Sequence, residues 1–524
     1  MKQTRKLLSL LLALAMVCAL AATAFAATVK VPSDGILKGH TFTAYQIFSG
    51  REEGGILSDV QWGSGINSDD FLAALKADTT YGSLFTACTD AAAVAKVLGD
   101  NNTNISLANA FAKLAYANKT GTGTALTSGE NTLADGYYLI VDTTANVGEG
   151  GAYNASLLQV VGNIDIAVKT DAPTVEKKVQ EGGADKDAAD YNIGDAVPFR
   201  LIGSVPDMSR YDTYKYIFHD TLSTGLTLNE NSIKVYVASD KAGTDKVEIT
   251  TGWTKAVSGQ TFTVSFADLK TVTGVSQGKY IIVEYTATLN QSAVIGLPGN
   301  SNEVYLEYSN KPDQSGSGEN NTGNTPKDEV LVFTYELDTT KVDGSNTETK
   351  LQDAKFVLLN SDGTKVAKIS SGKFDGWQDL PDAGSDGKIA AESWHTDSVL
   401  TSNASGLFTV TGLDAGTYKL REIVAPAGYN LLKSDITVEI TATIGANADG
   451  KTTLTNLAVT ADGTAGTGNV NSGIVGITVA NNKGATLPET GGIGTTIFYT
   501  VGGILVLVAV VLLVTKKRMN GTEV

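Results

Sequence analysis

Short runs in which apolar and polar residues alternate recur along this chain, and they restrict its fold more than any other sequence feature. One such run is Phe262 to Phe266, and another is Tyr280 to Tyr285. A period of two residues is typical of β-strands that bury one face. Glycine, with 56 of the 524 residues, supplies turn positions between the runs. The sequence therefore predicts an all-β protein of tandem immunoglobulin-like sandwiches.

The N-terminus has the pattern of a secretory signal peptide. Lys2, Arg5 and Lys6 precede an apolar run over residues 7–20, and small residues follow up to Ala26. This order of a basic, an apolar and a small-residue segment is typical of signals that are cleaved on export. We expect residues 1–26 to be removed, rather than retained as a membrane anchor.

The C-terminus combines three segments in a fixed order. The first is a pentapeptide made of Leu487, Pro488, Glu489, Thr490 and Gly491. An apolar stretch over 493–514 follows, and it is long enough to cross a bilayer as a helix. The last segment, 515–524, is basic and is expected to stay on the cytoplasmic side. An ordinary membrane anchor with a chance pentapeptide is the alternative.

This layout closely resembles the cell-wall sorting signal of sortase substrates. The resemblance implies that a sortase cysteine attacks the Thr490 carbonyl and that an amine then resolves the acyl-enzyme. Thr490 would become the new C-terminus. The resemblance places the protein outside a Gram-positive cell, anchored to the cell wall.

Composition limits the partners and the means of stabilisation. The formal net charge is −16, and the mature part is more acidic still because both ends are basic. This argues against a nucleic-acid partner. Cys88 is the only cysteine outside the signal peptide, so no intrachain disulfide can form. An exported chain of this kind therefore needs a stabilising cross-link other than a disulfide. We expect Cys88 itself to be buried.

The mature chain has room for about three domains. We expect an N-terminal domain over 27–170, a middle domain over 171–311 and a C-terminal domain over 329–485. Residues 312–328, rich in glycine, serine and asparagine, are predicted to be a linker. In the N-terminal domain, helical patterns interrupt the strands at 69–77, 91–98 and 106–117.

The C-terminal domain places a lysine among core positions. Leu337, Thr339 and Lys341 are spaced two residues apart, so their side chains lie on the same face of the strand. That face should be the core, where a lone charge is costly. Glu422 lies in a Tyr-x-Leu-x-Glu element followed by Ala-Pro-Ala-Gly-Tyr, and Asn481 lies in the last strand. The neighbour Asn482 is an alternative that strand alternation disfavours. A solvent-exposed strand lysine at Lys341 and a surface acid at Glu422 are the alternative interpretation.

These residues resemble a collagen-adhesin B-type domain with an internal isopeptide bond. The resemblance implies that Lys341 attacks the side-chain carbonyl of Asn481, that Glu422 assists as the acid, and that ammonia leaves. Burial would help, because it disfavours the charged forms of both the amine and the carboxyl group.

The middle domain carries a similar set of residues. Lys177 lies on the same strand face as two valines, and Asp220 lies in the strand run 216–222. Asn302 lies on the same face as the apolar residues of a later strand. The set resembles a collagen-adhesin A-type domain, in which an aspartate is the catalytic acid. It implies a bond from Lys177 to Asn302, with Asn310 as a weaker candidate.

In the N-terminal domain only Lys30 and Asp142 come close to this pattern. The sequence leaves open whether they form a bond, and we assign none to this domain.

A lysine near the first domain boundary is a candidate for joining subunits. Over most of its length the chain resembles a sortase-assembled major pilin, in which such a lysine accepts the sorted threonine. Lys169 has that position, although Ala-Val and Thr stand where the family motif has Tyr-Pro and Asn. Lys177 and Lys178 are rivals.

The resemblance implies a structural shaft subunit of a fimbrium. A class C sortase would join Thr490 to Lys169 of the next copy, and minor pilins and peptidoglycan would be further partners. A monomeric adhesin anchored to the wall is the alternative. An enzyme is disfavoured because His40, His219 and His395 lie in no hydrolase motif, and we expect neither a cofactor nor a metal.

Overall fold

The structure, a computed structural model, describes residues 27–160, 164–313, 321–385, 387–484 and 493–519. The predicted signal peptide and the pentapeptide 487–491 lie outside these residues. Strands dominate the described part, and they form three successive β domains followed by one C-terminal helix. The all-β prediction is confirmed.

The N-terminal domain consists of a three-stranded and a five-stranded sheet. Its strands are Ala27–Val31, Phe42–Glu53, Ile56–Trp62, Thr124–Leu126, Gly129–Leu133, Gly136–Asp142, Leu157–Val160 and Ile164–Asp165. A 3-10 turn covers Gly35–Leu37, and the helices are Ser68–Ala77, Gly82–Phe85, Ala91–Asp100 and Ile105–Ala117. Phe71 and Phe111 from these helices pack with Phe48 of the larger sheet. The predicted helical insertions are confirmed. Cys88 is buried in this core, and burial raises the pKa of its thiol.

The middle domain is a sandwich of two seven-stranded sheets. The first sheet contains Val175–Glu181, Ala184–Lys186, Ala196–Ser204, Leu226–Leu228, Lys234–Ala238, Val247–Glu248 and Tyr280–Leu289. The second contains Ala188–Asp190, Tyr216–Leu222, Thr254–Ser258, Thr261–Phe266, Asn300–Ser309, Thr322–Asn324 and Asp328–Phe333. Short 3-10 turns cover Glu230–Ser232 and Leu269–Thr271. One large apolar core fills the space between the sheets.

The boundary after the middle domain differs from the sequence prediction. Strands Thr322–Asn324 and Asp328–Phe333 pair with Asn300–Ser309 of the middle domain. Val330 and Val332 are fully buried in the core of that domain. The expected linker 312–328 is therefore partly strand, and the C-terminal domain begins after residue 333. Glycine and asparagine concealed the strand 322–324. The run 328–333 has the composition of a strand, but composition does not show which domain it joins, because pairing is decided by tertiary context.

The C-terminal domain is built on one thirteen-stranded sheet around an apolar core, with eleven strands in a continuous hydrogen-bonded order and two more paired to its side. The strands are Tyr335–Asp343, Asn346–Lys350, Lys355–Leu359, Lys365–Ser370, Lys373–Asp379, Leu400–Thr401, Leu407–Leu413, Gly416–Val424, Ile436–Ala446, Thr452–Ala461, Thr464–Ala465, Thr467–Asn469 and Ile474–Asn481. Short 3-10 turns cover Ala391–Ser393 and Thr396–Ser398. The first and last strands are parallel neighbours in this sheet. They bring chain segments about 140 residues apart side by side.

The last described element is the helix Ile493–Met519. Its portion Ile497–Arg518 has a mean hydropathy of 2.8 and is not buried against the rest of the protein. A 22-residue apolar helix is long enough to cross a bilayer, in agreement with the predicted span.

Candidate covalent cross-link sites

In the C-terminal domain, Lys341 lies in the first strand and Asn481 at the end of the last. Both side chains are buried, because each lies among apolar residues on the core-facing side of its strand. The parallel register pairs Lys341 with Val479, which brings the lysine next to the asparagine. Lys341 Nζ lies 2.5 Å from Asn481 Oδ1 and 3.2 Å from the Val479 carbonyl oxygen. Asn482 is exposed.

Glu422 lies on the other side of the Asn481 amide. Asn481 Nδ2 donates to Glu422 Oε1 at 2.8 Å and to the Asn430 carbonyl at 3.0 Å. Glu422 also accepts a hydrogen bond from the Leu432 backbone at 2.8 Å, which fixes its orientation. Its Oε1 is 3.8 Å from Lys341 Nζ. The amide group is therefore enclosed between an amine and a carboxyl group.

The surroundings of Lys341 favour a neutral amine. Burial lowers the pKa of Lys341 to about 8, although the charge of Glu422 acts in the opposite direction. A neutral amine is the nucleophilic form, and the carbonyl carbon of Asn481 is its nearest electrophile. The geometry thus suits attack of this amine on the Asn481 amide.

In the middle domain, Lys177 is fully buried and donates to Asp220 Oδ2. Asp220 and Asn302 lie on neighbouring antiparallel strands of the opposite sheet, two register positions apart and on the same face. The lysine therefore reaches across the sandwich. Asn310 lies past the end of the Asn302 strand, and its backbone bonds to Tyr153 and Asn321.

Tyr285 is the residue at this site that the sequence analysis missed. Its hydroxyl oxygen is 2.9 Å from Lys177 Nζ and 2.9 Å from Asp220 Oδ2, and it accepts from Asn302 Nδ2 at 2.8 Å. The phenol thus contacts the amine, the acid and the amide. Tyr285 lies on the same strand face as other buried residues, so the sequence indicated a core position. Nothing in the sequence indicated the contact with Asp220, because that contact crosses between sheets.

Electrostatics at this site follow from burial. Burial lowers the pKa of Lys177, and the nearby Asp220 opposes that effect. Burial also raises the pKa of Asp220, with Lys177 opposing. Transfer of a proton from amine to carboxyl group would relieve both burial penalties, since it leaves two neutral partners. Asp220 Oδ1 and Asn302 Oδ1 are buried without a hydrogen-bond partner in the described part of the chain.

Among the described residues of the N-terminal domain, no lysine is paired with the buried Asp142. Lys30 is exposed in the central strand of the three-stranded sheet. Asp142 instead pairs with His40 Nδ1 at 2.7 Å and accepts from the Asn154 backbone at 2.7 Å. A histidine thus occupies the place beside the acid that a lysine holds in the other two domains.

Lys169 is exposed at the junction of the first two domains, and its backbone is held on both sides. The Asn154 side chain accepts from its N–H at 2.6 Å, and its carbonyl accepts from the Ala155 N–H at 3.2 Å. The lysine lines a groove with residues of both domains, including Arg210. Lys178 differs, because it is half-buried and paired with Asp187 at 2.5 Å.

The histidines do not form a hydrolytic centre with these acids. His219 follows the outward face of its strand, where it stacks on Tyr305 and lies 3.0 Å from Glu307. It therefore points away from the adjacent Asp220, which is buried on the other face. His395 bonds to the Asp379 backbone.

Comparison with known families matches three segments. Residues 193–312 match the Gram-positive pilin backbone subunit 2, Cna-B-like domain, where motif resemblance had suggested an A-type domain. Residues 336–458 match a prealbumin-like fold domain, and residues 479–521 match the LPXTG cell wall anchor motif. The last match includes the pentapeptide and the apolar helix.

Individual relatives give a similar result. The trypsin-resistant surface T6 protein of Streptococcus pyogenes serotype M6 is 25% identical over 411 residues, which cover 67% of this chain and 70% of the relative. The solved structure of the T6 backbone pilin, described as a modular three-domain structure, has a TM-score of 0.53 at 18% identity. The similarity covers 88% of this chain and 98% of that one, and it supports the same fold.

Proposed function

Since this chain belongs to the backbone pilins of Gram-positive bacteria and is a subunit of a cell-wall-anchored pilus shaft, we propose that a class C sortase polymerises it. The enzyme would cleave after Thr490 and transfer the threonyl group to Lys169 of another copy. The amine displaces the sortase cysteine, so an amide forms and the thiol is released. The exposed amine of Lys169 at a domain junction is the observation that carries this proposal.

Access distinguishes Lys169 from the rival lysines. An acyl-enzyme needs an amine that a bulky protein can approach, and such amines are typical of exposed junctions. Lys177 is fully buried and Lys178 is ion-paired within a strand. The two backbone hydrogen bonds hold the main chain of Lys169 at the junction, while its side chain stays exposed.

Within each subunit we propose two autocatalytic isopeptide bonds, the first from Lys341 to Asn481. The neutral Lys341 amine attacks the Asn481 side-chain carbonyl. Glu422, whose oxygens contact the Asn481 amide nitrogen, takes a proton from the attacking amine and passes it to that nitrogen, which leaves as ammonia. The support is the direct contact between amine and amide, with the acid on the other side.

The second proposed bond joins Lys177 to Asn302, with Asp220 as the acid. Asp220 takes one proton from the Lys177 ammonium, and the neutral amine attacks the Asn302 side-chain carbonyl. A second amine proton passes through Asp220 to the amide nitrogen, which leaves as ammonia, and Asp220 ends protonated. The Tyr285 hydroxyl, in contact with all three groups, positions the amide and relays the proton between them. The protein is structural, so these two self-reactions are the only chemistry that we assign to it.

A shaft built in this way has no non-covalent joint along its length. Pulling one end would load the bonds between subunits and, within each subunit, the clamp between distant strands. The T6 relative is named for its resistance to trypsin, and we extend that property to this chain. Minor pilins and peptidoglycan would complete the assembly at its ends.

The test of polymerisation is a cell-wall extract boiled in detergent. We expect a high-molecular-weight ladder from the wild type and only monomer from Lys169→Ala. Lys178→Ala is the matched control, and it should leave the ladder unchanged. A normal ladder from Lys169→Ala would overturn the assignment of this lysine. Monomer alone from the wild type, in a strain with its pilin sortase, would favour a singly anchored adhesin instead.

A further inference from the structure

Three carboxyl groups converge where the middle domain meets the C-terminal domain. Glu181 and Asp190 end two strands of the middle domain, and Asp414 lies in the turn between two strands of the C-terminal domain. One oxygen of each group lies within 4.8 Å of the other two. The cluster therefore joins two domains, and it is separate from both proposed cross-link sites.

The described surroundings do not neutralise this cluster. Lys186 pairs with Glu181, and it is the one cation that acts on the cluster within the described residues. Asp195 adds a further negative charge nearby. Like charges at this distance are costly unless a cation compensates them.

A second feature points to a missing ligand. Tyr335 is fully buried, and its hydroxyl oxygen has no hydrogen-bond partner among the described residues. Asp190 is the charged group that acts on it most strongly. Asp414 Oδ1 is also buried without a partner in the described part of the chain. Buried polar atoms are nearly always paired, so this centre is chemically incomplete as the protein atoms stand.

We propose that Glu181, Asp190 and Asp414 bind one divalent cation of the Ca²⁺ type between the middle and C-terminal domains. Hard cations prefer oxygen ligands, and all three side chains offer carboxylate oxygens. Water would fill the remaining positions. The Tyr335 hydroxyl, which has no partner among the described residues, would contact a water molecule bound to the cation. With only three charged ligands, the dissociation constant should be about 10⁻⁴–10⁻³ M, as in other extracellular sites.

Such a cation would restrain the angle between the two domains. Two ligands belong to one domain and one to the other, so bound metal links them without a covalent bond. Asn192 of the middle domain already accepts from the Asp414 backbone at 3.0 Å, which places that turn against the middle domain. Loss of the cation should loosen this junction and leave each sandwich intact.

The test uses the full mature protein, freed of metal by a chelator and titrated with CaCl₂ by calorimetry. Sodium chloride of equal ionic strength controls for screening. We expect saturable binding of one Ca²⁺ per chain, and at least tenfold weaker binding by Asp414→Asn and Asp190→Asn. Asp449→Asn, which changes an exposed acid of the same domain, should bind like the wild type.

Two results would overturn the proposal. One is the absence of saturable binding at millimolar Ca²⁺. The other is equal binding by Asp414→Asn and the wild type, provided that circular dichroism shows both to be folded. If Ca²⁺ fails to bind and Asp414→Asn melts at a higher temperature than the wild type, the acids share a proton instead of a metal. The proposal does not depend on the cross-links, whose presence is read separately by mass.

Discussion

The two candidate cross-link sites combine the same three kinds of group in different arrangements. In the C-terminal domain, Lys341 and Asn481 lie on adjacent parallel strands and touch directly. In the middle domain, Lys177 reaches from one sheet to the other, and the Tyr285 hydroxyl lies between the amine and the Asn302 amide. The chemistry thus depends on burial and contact of amine, acid and amide, and a particular strand order is not required.

The two arrangements should resist a pulling force in different ways. A bond between neighbouring strands protects one edge of a sheet from being pulled apart. A bond between sheets resists separation of the two halves of a sandwich. The chain would therefore carry one clamp of each kind, in consecutive domains.

The largest expected effect is the complete loss of one cross-link when the acid of that site is replaced. Glu422→Ala should abolish the C-terminal bond and leave the middle one, whereas Asp220→Ala should do the reverse, because each acid acts on one carbonyl. Tandem mass spectrometry of tryptic peptides would identify which cross-link is missing. Survival of both bonds in the double variant would contradict the assigned roles.

Stability should fall by a similar amount at the two sites. Each bond closes a loop of more than a hundred residues, so its loss should cost about 3–5 kcal/mol by analogy with disulfides. Lys341→Met and Lys177→Met remove the bond and also the buried charge. Denaturant unfolding of the two variants would show the loss. A change below about 1 kcal/mol in either would mean that its bond is absent from the wild type.

A pH effect sharpens the account of the C-terminal site. In Asn481→Ala, Lys341 stays unreacted and buried, which holds its pKa near 8, against about 10.4 in the unfolded chain. Between these values the unfolded chain binds more protons, so stability should rise with pH by up to about 3 kcal/mol. Below pH 8 the penalty is fully present. Lys341→Met lacks the titrating amine, and its stability should not rise in this window.

The smallest expected effect is specific to the middle domain. Tyr285→Phe removes the shared hydroxyl, and the middle bond should form roughly tenfold more slowly, the equivalent of one hydrogen bond. Tyr214→Phe is the matched control, because that hydroxyl is buried without a partner in the described structure. A time course of cross-linked peptide after cell-free synthesis would measure the rate. Equal rates for the two variants would remove Tyr285 from the mechanism.

Local patterns predicted the parts of these sites that lie within single strands. Alternation placed Lys177, Lys341 and Asn481 on buried faces, where the structure has them. The helices of the first domain also followed from their apolar period. Such features depend on neighbours in sequence, so one chain is enough to read them.

Contacts between distant segments escaped the sequence analysis. The role of Tyr285 depends on the packing of two sheets, and the strand 328–333 depends on pairing with Asn300–Ser309. The acid cluster around Asp414 depends on how two domains meet. None of these contacts produces a periodic pattern in the sequence, because each joins segments that only the folded structure brings together.

The central claim, that each subunit carries two internal bonds between lysine and asparagine, is tested most directly by the intact mass of the folded mature protein. Each bond releases one ammonia, so the account predicts a mass below that of the sequence by two ammonia molecules. The deficit should persist after complete denaturation, because the bonds are covalent. A mass equal to that of the unmodified sequence would contradict the account at both sites.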